Sequence, residues 1–352
     1  MNIVRLAALG AVWLGLSQTA QAQSANCLEI ATLPAVISQP GVYCLKKNFA
    51  VGMADGIAIE IAASNVTIDF NGFKIGNLAG DEDTVAIGVA AYERRNIILR
   101  NGNFRGFMMS VGLLASYPER SSGHLVENMM LDASLVYGIL AVGNGVVLRN
   151  NQIVNSADTR VSQASAAKML TRSGAAGVAR QLRSMRAARS RASSGGVAPQ
   201  IASSGVAAIL AAVTNSVIEN NTISSVTAQG EADGIVILAG GAVSVNDNFI
   251  AGLRAGTFVA GIGVSELSEN VVIANNTILD GETTGADTVY GIDILADGAG
   301  LCVNNLISDF TTGASFGCVP ATCDDGRADS CATVTTGAAV SGGRARASLL
   351  PR

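Results

Sequence analysis

Four acidic side chains in the C-terminal half have a spacing that could support acid–base chemistry. They are Asp233, Glu266, Asp287 and Asp293, and they come from three neighbouring copies of a repeated unit. Convergent carboxylates can act as general acid and base, or they can bind calcium through their oxygens. Acids in solvated loops are also common, and no complete catalytic motif surrounds these four. We therefore treat them as candidate catalytic residues and leave open whether the chain is an enzyme.

His124 is the one histidine of the 352 residues, which limits the metal chemistry. Zinc sites usually combine several His and Cys ligands, so a site built from histidines is excluded. A role as general base is conceivable, but the sequence places no nucleophile or acid beside His124. We expect no metal and no cofactor; calcium would suit the acids but is not specifically indicated.

Arginine is concentrated around residue 100, at Arg94, Arg95, Arg100 and Arg105. A guanidinium group presents parallel N–H donors that match a carboxylate or a sulfate, so Arg94 and Arg95 are candidates for binding an anionic ligand. A second set of charged residues, one from each of four successive copies of the repeated unit, alternates between positive and negative charge. Opposite charges on neighbouring strands attract, which favours a role in fixing strand register. Its members are Arg100, Glu127, Arg149 and Glu219.

A repeated unit carries these residues. It consists of Gly, an apolar alternation, a short turn, a second alternation and then Asn. Eight copies span residues 56–72, 88–102, 112–128, 138–151, 205–221, 234–248, 261–276 and 291–305. Each alternation is short, has period two and is rich in Val and Ile, which predicts β-strands rather than helices. Repeats of this kind predict a solenoid of about eight coils whose strands stack in parallel.

One register position near the end of every copy holds Asn or Asp. The column is Asn71, Asn101, Asn128, Asn150, Asn220, Asp247, Asn275 and Asn304. Stacked strands are about 4.8 Å apart, so amides buried at a bend could donate and accept hydrogen bonds along the stack. We predict a structural ladder here rather than catalytic residues.

The first alternation of each copy predicts which side chains face outward. If the isoleucines of this strand point inward, the residues after them point outward, namely Ala58, Leu140, Val236, Gly263 and Asp293. This outer face is mostly small or apolar. A catalytic groove needs convergent acids and a base, so the pattern favours a binding or packing surface.

The GIxI and VxIxNNxI units, with the stretch LPAVISQPGVYCLKKNF that leads to NVTIDFNG, resemble the right-handed parallel β-helix, or pectin-lyase-like, superfamily. The resemblance runs from about Cys27 to Cys318 and implies one all-β domain. In members that cleave polysaccharide, it implies a groove formed by the first strand and the third-turn loops. The paired Asp residues followed by His-Gly of the hydrolase branch are missing. Asp324 and Asp325 are adjacent but lie beyond the coils.

The two ends of the chain have distinct patterns. Residues 1–22 contain Arg5, a short apolar run and small residues before position 23, which predicts a secretory signal peptide and an exported chain, periplasmic or extracellular, without a membrane span. Residues 332–352 are rich in Gly, Ala, Thr and Ser, which predicts a disordered tail. The domain in between spans 23–331.

All six cysteines lie near the ends of this domain, and export makes disulfides the default interpretation. Cys27 with Cys44 is the first predicted pair. The remaining four allow three pairings, of which we favour Cys302 with Cys318 and Cys323 with Cys331. A zinc site built from these four is the alternative.

The repeat is interrupted between Gly138 and Gly205, where residues 155–204 form an insertion with eight Lys or Arg and a single acid, Asp158. If the segment near 175–191 is helical, its apolar residues lie on one face, and Arg180, Arg183 and Arg186 lie on the other. This pattern predicts a basic amphipathic helix. Three roles stay open. The segment could fold over the apolar outer face of its own coil, bind an anionic partner such as polysaccharide or lipid, or have no role.

We therefore predict an exported right-handed parallel β-helix that interacts with polysaccharide, binding it rather than cleaving it. A lyase, hydrolase or epimerase acting on a uronate-containing glycan is the first alternative, and a structural or adhesive surface protein is the second. Nucleic acid is not an expected partner, because the chain outside the insertion is acidic. The oligomeric state stays open.

Overall fold

The computed structural model describes residues 26–79, 84–157, 205–265, 267–285, 288–295, 300–320 and 335–336. These residues form a parallel β-solenoid of about eight turns, as the repeat predicts. Within them, the one helical element is a 3-10 turn, η1, at Pro118–Arg120, and no helix is long and apolar enough to cross a membrane. The predicted signal peptide and the helix predicted near 175–191 lie outside the described residues.

Each coil contributes one strand to each of three sheets. The first sheet contains β2 (Ala35–Ile37), β5 (Ile57–Ile61), β8 (Ile87–Tyr92), β11 (Met109–Leu114), β14 (Tyr137–Asn144), β17 (Gly205–Thr214), the first half of β20 (Glu231–Asn246), β22 (Phe258–Val264), β25 (Thr288–Ile294) and β28 (Gly313–Phe316). The second sheet contains β1 (Leu28–Glu29), β3 (Gly41–Cys44), β6 (Val66–Asp69), β9 (Ile97–Arg100), β12 (Leu125–Glu127), β15 (Val147–Arg149), β18 (Ser216–Glu219), the second half of β20, β23 (Ser268–Ala274), β26 (Gly300–Val303) and β29 (Val319–Pro320).

The third sheet contains β4 (Phe49–Val51), β7 (Lys74–Asn77), β10 (Asn103–Arg105), β13 (Met130–Asp132), β16 (Gln152–Val154), β19 (Thr222–Ala228), β21 (Phe249–Ala255), β24 (Thr277–Thr283), β27 (Leu306–Phe310) and β30 (Thr335–Thr336). All strand pairs are parallel, and those of the third sheet keep one register from coil to coil. In the first sheet, the pairing of β17 with β20 shifts register once, between Ala211 and Ala212. Strand β20 runs from the first sheet into the second, so the hydrogen bonding of these two sheets is continuous.

Columns of β-branched residues fill the interior between the sheets. The column of the first sheet is Ile59, Val89, Val111, Ile139, Ile209, Ile235, Ile262 and Ile292, and every member is fully buried. Burying one such side chain stabilises the fold by about 1.5–3 kcal/mol relative to leaving it exposed. Stacked like residues therefore fix the register of each coil on the next.

The outward columns of the first sheet follow the prediction from β14 onward. Leu140, Val236, Gly263 and Asp293 lie in one column. In the first coil, Glu60 occupies this column, whereas Ala58 is buried in the main core. The prediction for Ala58 was wrong because the first coil begins its alternation two residues earlier than the later coils.

The buried amide ladder lies one residue after the predicted column. It consists of Asn151, Asn221, Asn248, Asn276 and Asn305, and each Nδ2 donates to Oδ1 of the next residue at 2.9–3.0 Å. The predicted residues Asn71, Asn101, Asn128, Asn150, Asn220, Asp247, Asn275 and Asn304 instead have φ angles between 52° and 58°. Asn and Asp tolerate this left-handed conformation better than other non-Gly residues. From Asn150 onward, the first residue of each pair therefore turns the chain, and the second forms the ladder. In the earlier coils no second Asn follows, and there the predicted column does bond along the stack, because Asn128 Nδ2 donates to Asn101 Oδ1 at 3.3 Å.

Two disulfides lie at the ends of the described solenoid. Cys27 pairs with Cys44 and Cys302 pairs with Cys318, with Cα–Cα distances of 5.7 and 5.6 Å. Both pairings are those predicted from the sequence. Cys323 and Cys331 lie outside the described residues.

Candidate functional site

Aromatic and charged side chains lie together where the second and third coils turn from the first sheet into the second. Tyr92 is the last residue of β8, and Tyr117 immediately precedes η1 in the next coil. We call this group the aromatic–arginine cluster, and it comprises Tyr92, Glu93, Arg94, Arg95, Tyr117 and Arg120. Its two tyrosines are 40% and 63% exposed, which makes them unusual among the mostly buried large apolar side chains of the described residues.

Hydrogen bonds from both neighbouring coils fix the backbone of this turn. The carbonyl of Arg94 accepts from the Ser122 N–H at 3.3 Å and from the Ser121 hydroxyl at 3.2 Å. The Arg95 N–H donates to Ser64 Oγ at 3.0 Å, in the preceding coil. The two arginines are therefore presented from a braced turn rather than from a loose loop.

The tyrosines are held by contacts within the same cluster. The hydroxyl oxygens of Tyr92 and Ser116 are 2.7 Å apart, which ties the first tyrosine to the following coil. The guanidinium carbon of Arg120 lies 6.0 Å from the ring centroid of Tyr117. The result is a surface with two exposed tyrosines, one of which has a guanidinium group near its ring.

Glu93 is the carboxylate of the cluster, and it is already engaged. Its Oε1 accepts from Arg120 Nη1 at 3.2 Å and from the Ser116 N–H at 3.5 Å. Desolvation acts to raise the pKa of Glu93, but the hydrogen bonds from Ser116 and Arg120 outweigh it, so the pKa lies below its ordinary value. Glu93 is therefore ionised at neutral pH and is unsuited to donate a proton.

Arg94 and Arg95 differ from the other arginines of the described residues, all five of which form ion pairs. The pairs are Arg100 with Asp69 (3.0 Å), Arg105 with Asp132 (3.4 Å), Arg120 with Glu93 (3.2 Å), Arg149 with Glu127 (2.8 Å) and Arg254 with Asp280 (2.7 Å). Within that part of the chain, no carboxylate pairs with Arg94 or Arg95. Nη1 of Arg94 donates to the carbonyl of Glu93 at 3.3 Å, and its Nε is buried without a hydrogen-bond partner.

His124 lies beneath the cluster, and burial lowers its pKa to about 4. The Ile97 N–H donates to Nδ1 at 3.3 Å, which assigns the proton to Nε2. Nε2 is 2.7 Å from Ser121 Oγ and therefore donates to it, while that hydroxyl donates to the carbonyl of Arg94. No nucleophile was predicted beside His124, whereas the structure has Ser121 there. Since His124 donates to this hydroxyl, it cannot also accept the hydroxyl proton, and the pair positions Arg94 rather than activating a nucleophile.

The structure brings two of the four candidate acids onto one face. Asp233 and Asp293 are on the outer face of the first sheet, in β20 and β25, and both are buried. The two strands are separated by β22, and Asp293 lies three residues further along β25 than Tyr290, the position that shares the column of Asp233. Tyr290 shares the column of Asp233, and burial together with the charge of Asp293 raises its pKa.

Glu266 and Asp287 lie outside the described residues, as do Arg180, Arg183 and Arg186. Among the residues that are described, no group of three or more His, Cys, Asp or Glu side chains is arranged to hold a metal ion.

A scan against protein-family models found no match, and no curated protein is significantly similar to the chain. Among solved structures, the Dettilon tailspike protein is 15% identical, with a TM-score of 0.43 over 80% of this chain and 53% of that one. A variant tailspike protein of E. coli bacteriophage HK620, in complex with a pentasaccharide, is 8% identical, with a TM-score of 0.41 over 86% of this chain and 57% of that one. The chain spans little more than half the length of either tailspike.

Proposed function

We propose that this chain binds an acidic polysaccharide at the aromatic–arginine cluster. The observation that carries the proposal is that Arg94 and Arg95 have no carboxylate partner among the described residues, yet belong to the same turn as the exposed Tyr92. Tyr92 is in turn bonded to Ser116, next to the exposed Tyr117 of the following coil. A guanidinium group binds a carboxylate or sulfate through charge-assisted hydrogen bonds. A tyrosine ring presents an apolar face and a polar hydroxyl, which suits the mixed surface of a sugar ring.

The turn that carries Arg94 and Arg95 is held by hydrogen bonds to both neighbouring coils. The braced backbone means that little conformational entropy is lost when the ligand binds.

Binding, rather than cleavage, fits the chemistry of the cluster. Glu93 is ionised and engaged by Arg120, and His124 is buried with its proton directed at Ser121. Acid–base cleavage of a glycan needs a group that can give or take a proton at the scissile bond. Neither side chain meets this requirement in the observed arrangement.

We also propose that the chain is exported, to the periplasm or outside the cell. The disulfides Cys27–Cys44 and Cys302–Cys318 support this proposal, because such bonds are typical of proteins that fold in an oxidising compartment.

A polysaccharide-cleaving enzyme is the second candidate, and the observation in its favour is the face that holds Asp233, Tyr290 and Asp293. Buried carboxylates next to a tyrosine with a raised pKa are a common feature of catalytic sites. On this alternative, the chain would be a lyase, hydrolase or epimerase, and Asp233 or Asp293 would act on the substrate.

The test compares two double variants with the same charge change. Arg94→Gln with Arg95→Gln removes the proposed ligands, whereas Arg105→Gln with Arg254→Gln removes two exposed, ion-paired arginines of the third sheet. We expect the first pair to weaken retention on polygalacturonate or a sulfated glycan by about tenfold or more, since each charge-assisted bond contributes about 1.5–3 kcal/mol. The second pair should retain most of the affinity.

If both double variants weakened retention equally, the interaction would depend only on net charge, and the proposed site would be refuted. Retention that survives both double variants but disappears when residues 158–204 are removed would assign anion binding to the basic insertion instead. Formation of unsaturated uronates or new reducing ends, abolished by Asp293→Asn, would establish the enzymatic alternative.

A further inference from the structure

The outward face of the second sheet carries a continuous column of mostly aliphatic side chains. Each member pairs with the next one along the stack, while the following residue of its strand packs into the main core. Every member keeps part of its surface exposed, and Val42 is 40% exposed. We call this the second-sheet column, and it consists of Val42, Thr67, Ile98, Leu125, Val147, Val217, Ser244, Val272 and Leu301.

The second-sheet column is large enough to take part in a specific interface. Parallel strands lie about 4.8 Å apart, so the nine residues span about 38 Å, and a strand of about four residues makes the face about 13 Å wide. The face therefore covers about 500 Å². Exposed apolar surface of this extent marks an interaction site. Two such faces packed together would bury about 1,000 Å², which reaches the lower limit for a specific protein–protein interface.

Charged side chains form a second column beside the first, two residues further along each strand. Their signs alternate in the order Asp69, Arg100, Glu127, Arg149 and Glu219. Within the chain, Arg100 pairs with Asp69 at 3.0 Å and Arg149 pairs with Glu127 at 2.8 Å. Glu219, at the end of the row, forms no ion pair in the described part of the chain. An alternating row of charges is complementary to a copy of itself that runs in the opposite direction.

We propose that a second copy of the chain packs on this face, related to the first by a two-fold axis. The axis lies parallel to the strands, between β12 and β15, so the columns of the two copies face each other in opposite order. Glu127 then lies opposite the partner's Arg149, and Arg100 lies opposite the partner's Glu219. Each contact occurs twice, because a two-fold interface uses the same patch of both copies. Glu219 thereby gains a cation that its own chain does not supply.

The second-sheet column fits the same axis. At the centre, Leu125 lies opposite the partner's Val147. The two members that carry hydroxyl groups, Thr67 and Ser244, lie opposite each other, where they can exchange a hydrogen bond. All remaining pairs are aliphatic, namely Ile98 with the partner's Val217 and Val42 with the partner's Val272. Burial of this apolar surface provides the driving force for association.

Other positions of the axis fit less well. An axis through β12 would place Glu127 opposite its own copy and Arg100 opposite the partner's Arg149, and like charges in contact oppose association. An axis between β9 and β12 would restore opposite charges, but it would place the Thr67 hydroxyl opposite the partner's Val147. Only the axis between β12 and β15 matches both the charges and the hydroxyl groups.

This inference goes beyond the proposed glycan binding and does not rest on it, because neither column contains a residue of the aromatic–arginine cluster. An interface of about 1,000 Å² is small, so we expect a dissociation constant of about 1–100 μM. Sedimentation velocity of the full chain over this range of concentrations should show a reversible shift from monomer mass to dimer mass. Leu125→Ser with Val147→Ser should weaken the dimer at least tenfold. Phe249→Ser, at an exposed apolar residue of the third sheet, should leave the equilibrium unchanged.

Two charge-reversal variants test the position of the axis. Glu127→Lys places an ammonium group opposite the partner's Arg149, and Arg149→Glu places a carboxylate opposite the partner's Glu127. Each variant alone should therefore be monomeric at concentrations where the parent chain is a dimer. Mixed in equal amounts, the two variants should form a heterodimer, because both contacts across the axis then join opposite charges. The ion pair within each chain is broken in both variants and stays broken on mixing, so a change in folding cannot cause this recovery.

The ion pair between Arg105 and Asp132 on the third sheet supplies the matched control. Arg105→Glu and Asp132→Lys break a pair of the same kind, and they should dimerise like the parent chain whether alone or mixed. A parent chain that stays monomeric at every concentration would overturn the proposal. A dimer that persists in Glu127→Lys alone, or that mixing with Arg149→Glu does not restore, would equally refute this two-fold arrangement.

Discussion

Nε2 of His124 lies 2.7 Å from Oγ of Ser121, one residue away from the turn that presents Tyr117 and Arg120. The serine hydroxyl donates a hydrogen bond to the carbonyl of Arg94, so a buried pair in the third coil braces a proposed ligand-binding arginine in the second. The arrangement depends on a neutral imidazole. A second proton on Nδ1 would oppose the Ile97 N–H that now donates to it.

We predict that the stability of the chain falls as the pH is lowered through the titration of His124. Burial lowers the pKa of His124 from 6.5 to about 4, so the folded state favours the neutral ring. The stabilisation is fully present above the unfolded pKa and is lost as pH falls from about 6.5 to about 4, by about 3 kcal/mol in total. Chemical denaturation at a series of pH values between 7 and 4 measures this change in the free energy of unfolding. His124→Gln, which keeps a donor for Ser121, should flatten this part of the profile, and an equally steep profile in that variant would contradict the assignment.

Glu93→Gln should raise the affinity for an acidic glycan. The substitution removes the carboxylate of the aromatic–arginine cluster and releases Arg120 from its ion pair, so three guanidinium groups face the ligand. Removing one negative charge near an anionic ligand lowers the binding free energy by only a modest amount at an exposed surface. We therefore expect the affinity to rise about threefold at low salt, and this gain to shrink as salt is added. Glu269→Gln, an exposed acid in β23, is the matched control. A weaker interaction in Glu93→Gln would mean that Arg120 must stay paired to hold Tyr117.

Much of this fold could be predicted from the spacing of apolar residues, because period-two alternation interrupted at regular intervals has few structural solutions. The column from Leu140 to Asp293 followed from that spacing, and both described disulfides followed from the positions of the cysteines near the two ends of the domain. The first coil departed from the prediction because the alternation alone does not reveal that Ile59, rather than Ile57, pairs with Val89.

The candidate site was harder to predict for a different reason. Arg94 and Arg95 stood out by type, but Tyr92 and Tyr117 are 25 positions apart, and the turn that follows β11 differs in length from the turn after β8. Their proximity depends on the stacking of two coils. Ser121 gave no sequence signal beside His124 because its role is set by hydrogen bonds to a turn in the preceding coil. The Asn ladder was displaced by one residue because two adjacent asparagines look alike in sequence, and the bend decides which of them is buried.

The ladder gives a prediction that separates the two members of an Asn pair. Nδ2 of Asn248 donates to Asn276 Oδ1 and to the Ile218 carbonyl, while its Oδ1 accepts from Asn221. Asn248→Ala leaves several buried groups without partners and should lower the free energy of unfolding by about 3 kcal/mol. Asp247→Asn at the preceding residue keeps a side chain that tolerates its φ of 54° and should stay within about 0.5 kcal/mol of the parent. Urea denaturation followed by circular dichroism measures both, and comparable losses in the two variants would contradict the division of roles.

Close packing between coils leaves no room for a side chain at Gly234 in the first sheet. A Cβ on Gly234 would lie 2.5 Å from the Gly261 carbonyl oxygen and 2.7 Å from Ile250 Cγ2, and the first of these is backbone that cannot move without shifting the next coil. Gly234→Ala should therefore destabilise the chain by about 1–3 kcal/mol through overpacking. Gly52→Ala, where nothing lies within 4 Å of the added atom, provides the control and should be neutral or slightly stabilising. The readout is the difference in melting temperature between the two variants. If Gly234→Ala and Gly52→Ala have the same melting temperature, the coils are less tightly stacked at Gly234 than their register indicates.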